Sequence, residues 1–117
     1  MARFTRSGMT PGEKAEYDRL MEIFRSLPPN KLATAEGLIR QAARHRDRLN
    51  ALWIDLQKNG ETELFSQSSN TDPYERERPA SRTYTATDKL YHSVMKTLID
   101  MVPEQESKDA LEAFLDG

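Results

Sequence analysis

Residues 30–60 read NKLATAEGLIRQAARHRDRLNALWIDLQKNG. Proline is absent from the stretch, and both of its ends carry boundary signals. Pro28-Pro29 precedes it, Asn30 offers a side-chain cap for the first free amides, and Gly60 suits the left-handed residue that closes a helix. The span predicts one helix of roughly 29 residues, about 43 Å long at 1.5 Å per residue. Leu38, Ala42, His45, Leu49, Leu52 and Leu56 recur in steps of four and three. At 100° per residue they fall within an arc of about 80°, with Trp53 at its edge. A narrow apolar seam on a long helix is what helix–helix packing requires. Gly37 weakens the first turns or admits a neighbouring backbone.

Toward the N-terminus, Thr10-Pro11-Gly12-Glu13 reads as a helix start. Thr10 caps the first amides, Pro11 suits the first helical position and Glu13 completes a capping box. Tyr17, Leu20, Met21, Phe24 and Leu27 follow at helical spacing until Pro28-Pro29 stops the helix. Residues 1–9, with Arg3 and Arg6, predict a disordered basic arm and no signal peptide.

Toward the C-terminus the pattern changes at ETELFSQSSNTDPYERER, residues 61–78. Ser66 to Asp72 is a turn-rich polar stretch. Thr62–Phe65 and Tyr74–Arg78 on either side predict a short hairpin, marginal if left alone. Pro79 then opens a third helix. Ala80, Tyr84, Thr87, Tyr91, Val94, Met95, Leu98 and Val102 keep a helical stripe as far as Pro103. A last short helix, Glu104 to Leu115, carries Leu111, Phe114 and Leu115 on one side. The expected organisation is an arm (1–9), a helical body (10–102, with the insert at 61–78) and an acidic helix or tail (103–117). The fold class is all-α, built from antiparallel long-helix hairpins with a short irregular or β-hairpin insert and assembled as an oligomer.

The 117 residues are one domain's worth of chain. Hydrophobic residues make up 37% and charged residues 31%, so the private core is thin. A small polar chain of this kind often completes its core with a neighbour. With no cysteine, a disulfide scaffold, a thiolate metal site and a thiol nucleophile are excluded, and a reducing compartment fits. No apolar run approaches the roughly 20 residues of a membrane-spanning helix. The net charge of -2 conceals an asymmetry. Residues 31–60 carry six basic and three acidic groups, whereas residues 61–117 carry six and twelve. A basic front half and an acidic end suggest two different contact surfaces.

Catalytic chemistry finds little support. His45 lies on the apolar seam, where a packing histidine is expected, and His92 reads as an exposed helix residue. No His-x-x-x-His pair offers a metal site, and the five glycines form no phosphate loop. Glu75 and Glu77 alternate with Arg76 and Arg78, the pattern of a solvated charged strand. The expected assignment is therefore no enzyme, no cofactor and no metal. Nucleic acid is the better prospect. Arg40, Arg44 and Arg48 stand at i, i+4, i+8 beside the seam, with Arg46 on the other flank. Such a stripe can meet successive phosphates, and Arg3 and Arg6 add a basic arm. The competing reading is a solvated flank that pairs with acidic neighbours. No zinc-finger, RNA-binding-sheet or helix-turn-helix signature is present.

From residue 32 onward the order of features resembles the small subunit of phage terminases, in the branch found in siphophages and prophages. The likeness rests on four stretches. They are Leu49-Asn50-Ala51-Leu52-Trp53-Ile54-Asp55-Leu56 closed by Asn59-Gly60, the polar segment with Phe65 and Tyr74, Glu77-Arg78-Pro79-Ala80-Ser81, and Tyr91-His92-Ser93-Val94-Met95-Lys96-Thr97-Leu98. Two departures stand out: the long helix ends Asp100-Met101-Val102-Pro103 where the family often has Gly-Leu-Thr-Pro, and the N-terminal part lacks a helix-turn-helix. The seam on so long a helix predicts a homo-oligomer of more than four subunits, and the resemblance implies a non-catalytic protein in the host cytoplasm that forms a ring. It would bind double-stranded viral DNA and present it to the large terminase subunit for packaging. On this reading Arg3, Arg6, Arg40, Arg44, Arg46 and Arg48 face DNA. Leu38, Ala42, Leu49, Leu52, Trp53, Leu56, Tyr91, Met95 and Leu98 join subunits. Leu111, Phe114 and Leu115 either dock on the large subunit or pack on the chain's own third helix. The alternative is a helical structural or adaptor oligomer that binds only protein.

Overall fold

The computed structural model describes residues 8–102 and Leu115. Three helices and a two-stranded antiparallel sheet follow in the order α1 (Pro11–Phe24), α2 (Pro29–Asn59), β1 (Thr62–Phe65), β2 (Tyr74–Glu77) and α3 (Pro79–Asp100). The arm with Arg3 and Arg6 and the short helix expected from Glu104 lie outside the described residues. Of that helix only Leu115 is described, and it is helical and exposed.

The start of α1 follows from its four-residue signal. Thr10 Oγ1 accepts from the Glu13 backbone N–H at 3.1 Å, and Pro11 takes the first helical position. The Thr10 hydroxyl is also a donor, to Asp47 Oδ2 of α2 at 2.8 Å. The Glu13 side chain takes a different course from the capping box. It is buried, and its Oε2 lies 3.8 Å from Arg44 Nε of α2. The cap that starts α1 is therefore also its attachment to α2.

α2 begins at Pro29, not after Asn30. Pro28 occupies the cap position without a side-chain bond, and Asn30 falls inside the first turn. Pro29 at the first helical position has its φ preset and no amide to satisfy, so a capping side chain is dispensable there. Gly60 ends the helix as expected, at φ 84°, with its N–H donating to the Leu56 carbonyl at 2.8 Å. The 31 residues of α2 give a rod of about 46 Å.

α1 and α3 both run antiparallel to α2. Thr10 meets Asp47 and Tyr17 meets Glu36 on one side. On the other, the Arg46 guanidinium lies over the Tyr91 ring at 5.0 Å, and Trp53 packs on Tyr84 at 5.9 Å between ring centres. Two neighbours need a wider apolar arc than one seam supplies. The buried residues of α2 are accordingly Ala35, Ile39, Ala42, Ala43, Leu49 and Leu56, while Leu38, His45 and Leu52 are half-buried. The main core joins Leu20, Phe24 and Leu27 to Ala35, Ile39, Ala42 and Leu49, and to Tyr91, Met95, Leu98 and Val102.

α1 has 14 residues, about 21 Å, less than half the length of α2. Beyond its N-terminus, among the described residues, α2 and α3 lie side by side, and Leu56, Ser81 and Thr87 are buried there. The strands sit at that far end. They pair as Thr62↔Glu77, Glu63↔Arg76, Leu64↔Glu75 and Phe65↔Tyr74. Arg78 fastens the base of the hairpin: Nη1 donates to the Gly60 carbonyl at 2.7 Å, Nη2 to Asp55 at 3.1 Å, and the backbone N–H to the Glu61 carbonyl at 2.8 Å.

Candidate nucleic-acid interface

Arg40, Arg44 and Arg48 project from the flank of α2 that turns away from α3. At four-residue spacing their origins are about 6 Å apart along the axis. The three do not stand in the same surroundings. Arg40 Nη2 donates to Glu36 Oε1 at 2.9 Å, and its guanidinium lies 5.7 Å from the centre of the Tyr17 ring. Tyr17 donates its hydroxyl to the same Glu36 oxygen at 3.0 Å. Those two hydrogen bonds, Arg40 first and Tyr17 second, hold the Glu36 carboxyl below its usual range. Burial and then Glu36 push the Tyr17 hydroxyl up. Arg40 is therefore chiefly part of the tie between α1 and α2.

Arg44 keeps a side chain that is 63% exposed while its Nε faces buried Glu13. Arg48 is exposed and forms no ion pair among the described residues. Gly8, Thr10, Glu13, Arg44, Asp47 and Arg48 line an open pocket of about 430 Å³ at the start of α1. Two exposed cations beside a pocket that also presents Glu13 and Asp47 can meet an anion at the surface; the carboxylates discourage anything deeper.

Arg46 is a correction to the expected DNA face. It turns inward, with its guanidinium on Tyr91 and a buried Nε that has no hydrogen-bond partner. At 60° around the helix from Leu49 it enters the wedge between α1 and α3, where the Tyr91 ring faces its guanidinium. Burial raises the Tyr91 hydroxyl, Glu16 raises it further, and Arg46 and Arg19 oppose both. His45 is half-buried. Burial pushes its imidazole down, and Arg44 and then Arg48 add to the effect. His92 Nε2 lies 3.3 Å from Asp88 Oδ1 on the exposed side of α3.

The residues expected to join subunits need a second correction. Ala42, Leu49, Leu56, Tyr91, Met95 and Leu98 are buried within this chain, because α3 folds back over the seam that a neighbour was expected to cover. Leu38 and Leu52 stay half-buried and Trp53 is 49% exposed. Besides Trp53, the apolar side chains turned outward include Ile54, Leu64, Tyr74 and Leu90, which were not expected there. Ile54 continues the α2 face that α1 covers lower down, and Leu64 lies on the hairpin.

Glu13 and Asp47 had no functional reading in the sequence. Glu13 looks like a routine capping-box acid, and only the antiparallel return of α2 brings Arg44 and Asp47 beside it. Among the described residues no three His, Cys, Asp or Glu come together as a metal site, and no helix is long and apolar enough to cross a membrane. Compared with known proteins, the chain matches no family profile, no curated protein and no solved structure.

Proposed function

We propose that the chain is a non-catalytic small terminase subunit. In this reading it oligomerises, binds double-stranded viral DNA through the outer flank of α2, and presents the DNA to the large subunit in the host cytoplasm. The order of long helix, short insert and second long helix from residue 32 supports the reading, as does the likeness of the stretches that form them. The observation that carries it is the exposure of Arg44 and Arg48 on a flank of α2 that α3 leaves open. Charge supports only a local DNA face. Without Arg3, Arg6, Lys108 and the five acids beyond residue 103, fourteen basic groups face fourteen acidic ones. Binding of duplex DNA should therefore be weak per subunit and steeply salt-dependent.

The test is a titration of duplex DNA at several salt concentrations. Replacing Arg40, Arg44 and Arg48 together with Ala should reduce the slope of log K against log salt by at most about 2.7, at about 0.9 per phosphate contact. An unchanged slope would remove α2 from the interface. No salt-dependent binding at all would favour the second reading, a helical adaptor oligomer that binds only protein. The exposed Trp53, Ile54, Leu64 and Leu90 speak for that alternative.

A further inference from the structure

Among the described elements, the hairpin has the least support from the rest. It has two four-residue strands, and an isolated pair of strands is marginal in water. Glu63, Phe65, Tyr74 and Arg76 share one face. There Phe65 and Tyr74 meet edge to face at 5.9 Å, Arg76 lies 3.5 Å over the Phe65 ring, and Arg76 Nε donates to Glu63 Oε1 at 3.0 Å. The other face carries Thr62, Leu64, Glu75 and Glu77, and Leu64 is 74% exposed.

The backbone polarity of the two edges follows from one hydrogen bond. Arg78 N–H donates to the Glu61 carbonyl, so 61/78 is a hydrogen-bonded pair. Antiparallel pairs alternate, which makes 63/76 and 65/74 hydrogen-bonded pairs as well. The N–H and C=O groups of Thr62 and Leu64 on β1, and of Glu75 and Glu77 on β2, therefore turn outward. Among the described residues no third strand pairs with either edge, and the side chains decide what such an edge accepts.

Three pairings between two copies are open to these edges. β2 against β2 sets Glu75 opposite Glu75, or Glu75 opposite Glu77 with Arg76 opposite Arg76; both registers place like charges together. β1 against β1 sets either Glu63 opposite Glu63, or Leu64 opposite Leu64 with Glu63 opposite Phe65. β1 against β2 of a second copy, in the register used within the chain, sets Glu63 opposite Arg76 and Phe65 opposite Tyr74. It repeats the two contacts that already hold the hairpin together, and Thr62 and Leu64 then exchange hydrogen bonds with Glu77 and Glu75 across the new boundary. Charge complementarity selects this last pairing.

We infer that the hairpin is a head-to-tail docking surface for a second copy of this chain, β1 of one subunit adding antiparallel to β2 of the next. Unlike edges in contact make a heterologous interface, which closes into a ring or runs on as a filament. The inference deepens the oligomer of the proposed function and rests on that part of it, but not on DNA binding. A contact of four residues per strand is small beside a standard interface of about 800 Å² per partner. The exposed Trp53, Ile54 and Leu90 leave room for further contact around it.

Proline tests the scheme, because it removes one N–H and caps an edge. Leu64→Pro blocks the outer edge of β1 and Glu75→Pro the outer edge of β2, and neither removes an N–H used inside the hairpin. Light scattering on the full chain should show an assembly for the wild type and monomers for each variant alone. An equimolar mixture of the two should give a 1:1 dimer, because each variant retains the edge the other lacks. Circular dichroism of each variant should keep the wild-type helical signal. A Glu75→Pro variant that dimerises by itself would overturn the inference in favour of β1 against β1, and a mixture that stays monomeric would overturn it outright. A monomeric wild type would overturn it too. Salt-dependent DNA binding measured on the same samples reads the DNA part of the proposed function separately.

Discussion

Leu49→Ala separates a seam that holds the chain together from a seam that holds subunits together. Leu49 is fully buried and belongs to the cluster with Ile39, Ala42, Tyr91 and Met95. Truncating a buried leucine costs about 2–5 kcal/mol, the lost transfer energy plus the cavity left behind. α1, α2 and α3 all contribute to this cluster and are tied to one another by the Thr10, Tyr17 and Arg46 contacts, so collapse into the cavity is limited and the upper half of the range applies. Against a typical total of about 5–15 kcal/mol this is a large share. Trp53, 49% exposed, gives the contrast: its removal exposes little new core and should cost less than about 2 kcal/mol. Urea titration followed by helical circular dichroism measures both costs, and light scattering at fixed concentration reads the assembly. Leu49→Ala should lower the urea midpoint strongly and leave the subunit number of the folded fraction unchanged. A variant that dissociates while its midpoint stays put would refute the packing argument and return Leu49 to a subunit boundary.

Four further outcomes follow from single contacts. Thr10→Ala removes the cap of α1 and the bond to Asp47 together, and should cost about 1–2 kcal/mol in the same urea assay. Gly60→Ala places a side chain at φ 84° and ψ 173°, a region that is essentially glycine-only, and should cost about 1–3 kcal/mol. Arg46→Met should leave the salt slope of DNA binding unchanged while Arg48→Ala lowers it by about 0.9; equal slopes for both would restore Arg46 to the DNA face. The Glu36 carboxyl is held low by Arg40 and Tyr17, so its contribution is present above the unfolded value of about 4.3 and is lost as pH falls through the lower folded value. Acid titration of stability should thus be shallower over that window for Glu36→Gln than for the wild type.

Local signals in the sequence were legible where the chain obeys them alone. The Thr10-Pro11-Gly12-Glu13 start, the Gly60 stop, the Thr62–Phe65 and Tyr74 strands and the Pro79 start all depend on neighbours a few residues away, and each lies where its own chemistry puts it. What depends on a third element was not legible. The stripe of Tyr91, Met95 and Leu98 was visible on its helix, but its partner was not. Periodicity shows that a face is apolar and is silent on whether this chain or another covers it. The same limit applies to the arginines. Periodicity sets Arg46 on the flank opposite Arg44 and Arg48, but it does not show that this flank faces the wedge between α1 and α3, where Arg46 lies over Tyr91. Glu13 was read as a cap, and only its position over α2 makes it a buried carboxylate beside Arg44.

The lengths of the helices leave the hairpin end the less covered end among the described residues. α1 covers about 21 Å of a rod of about 46 Å, so among the described helices the remaining half of α2 has α3 alone beside it. In the covered half, three elements converge on Phe24, Leu49 and Tyr91, and the burial is mostly apolar, with Glu13 the buried charge at its edge. In the uncovered half the buried set includes Ser81 and Thr87, and Trp53 and Ile54 face outward. Apolar area scales with burial free energy, so the two halves are unequally stabilised, and the half that carries the hairpin is the weaker. Regions with few buried apolar contacts open locally before the rest of a domain. A contact with a second chain at β1 and β2 would act on that half. It would lengthen the sheet beyond two strands and hold the ends of α2 and α3 together through Arg78, which already joins Asp55, Gly60 and the start of α3. Association and local order at this end are then one equilibrium. By reciprocity, assembly would tighten the α2–α3 tip by the same free energy with which an ordered tip favours assembly.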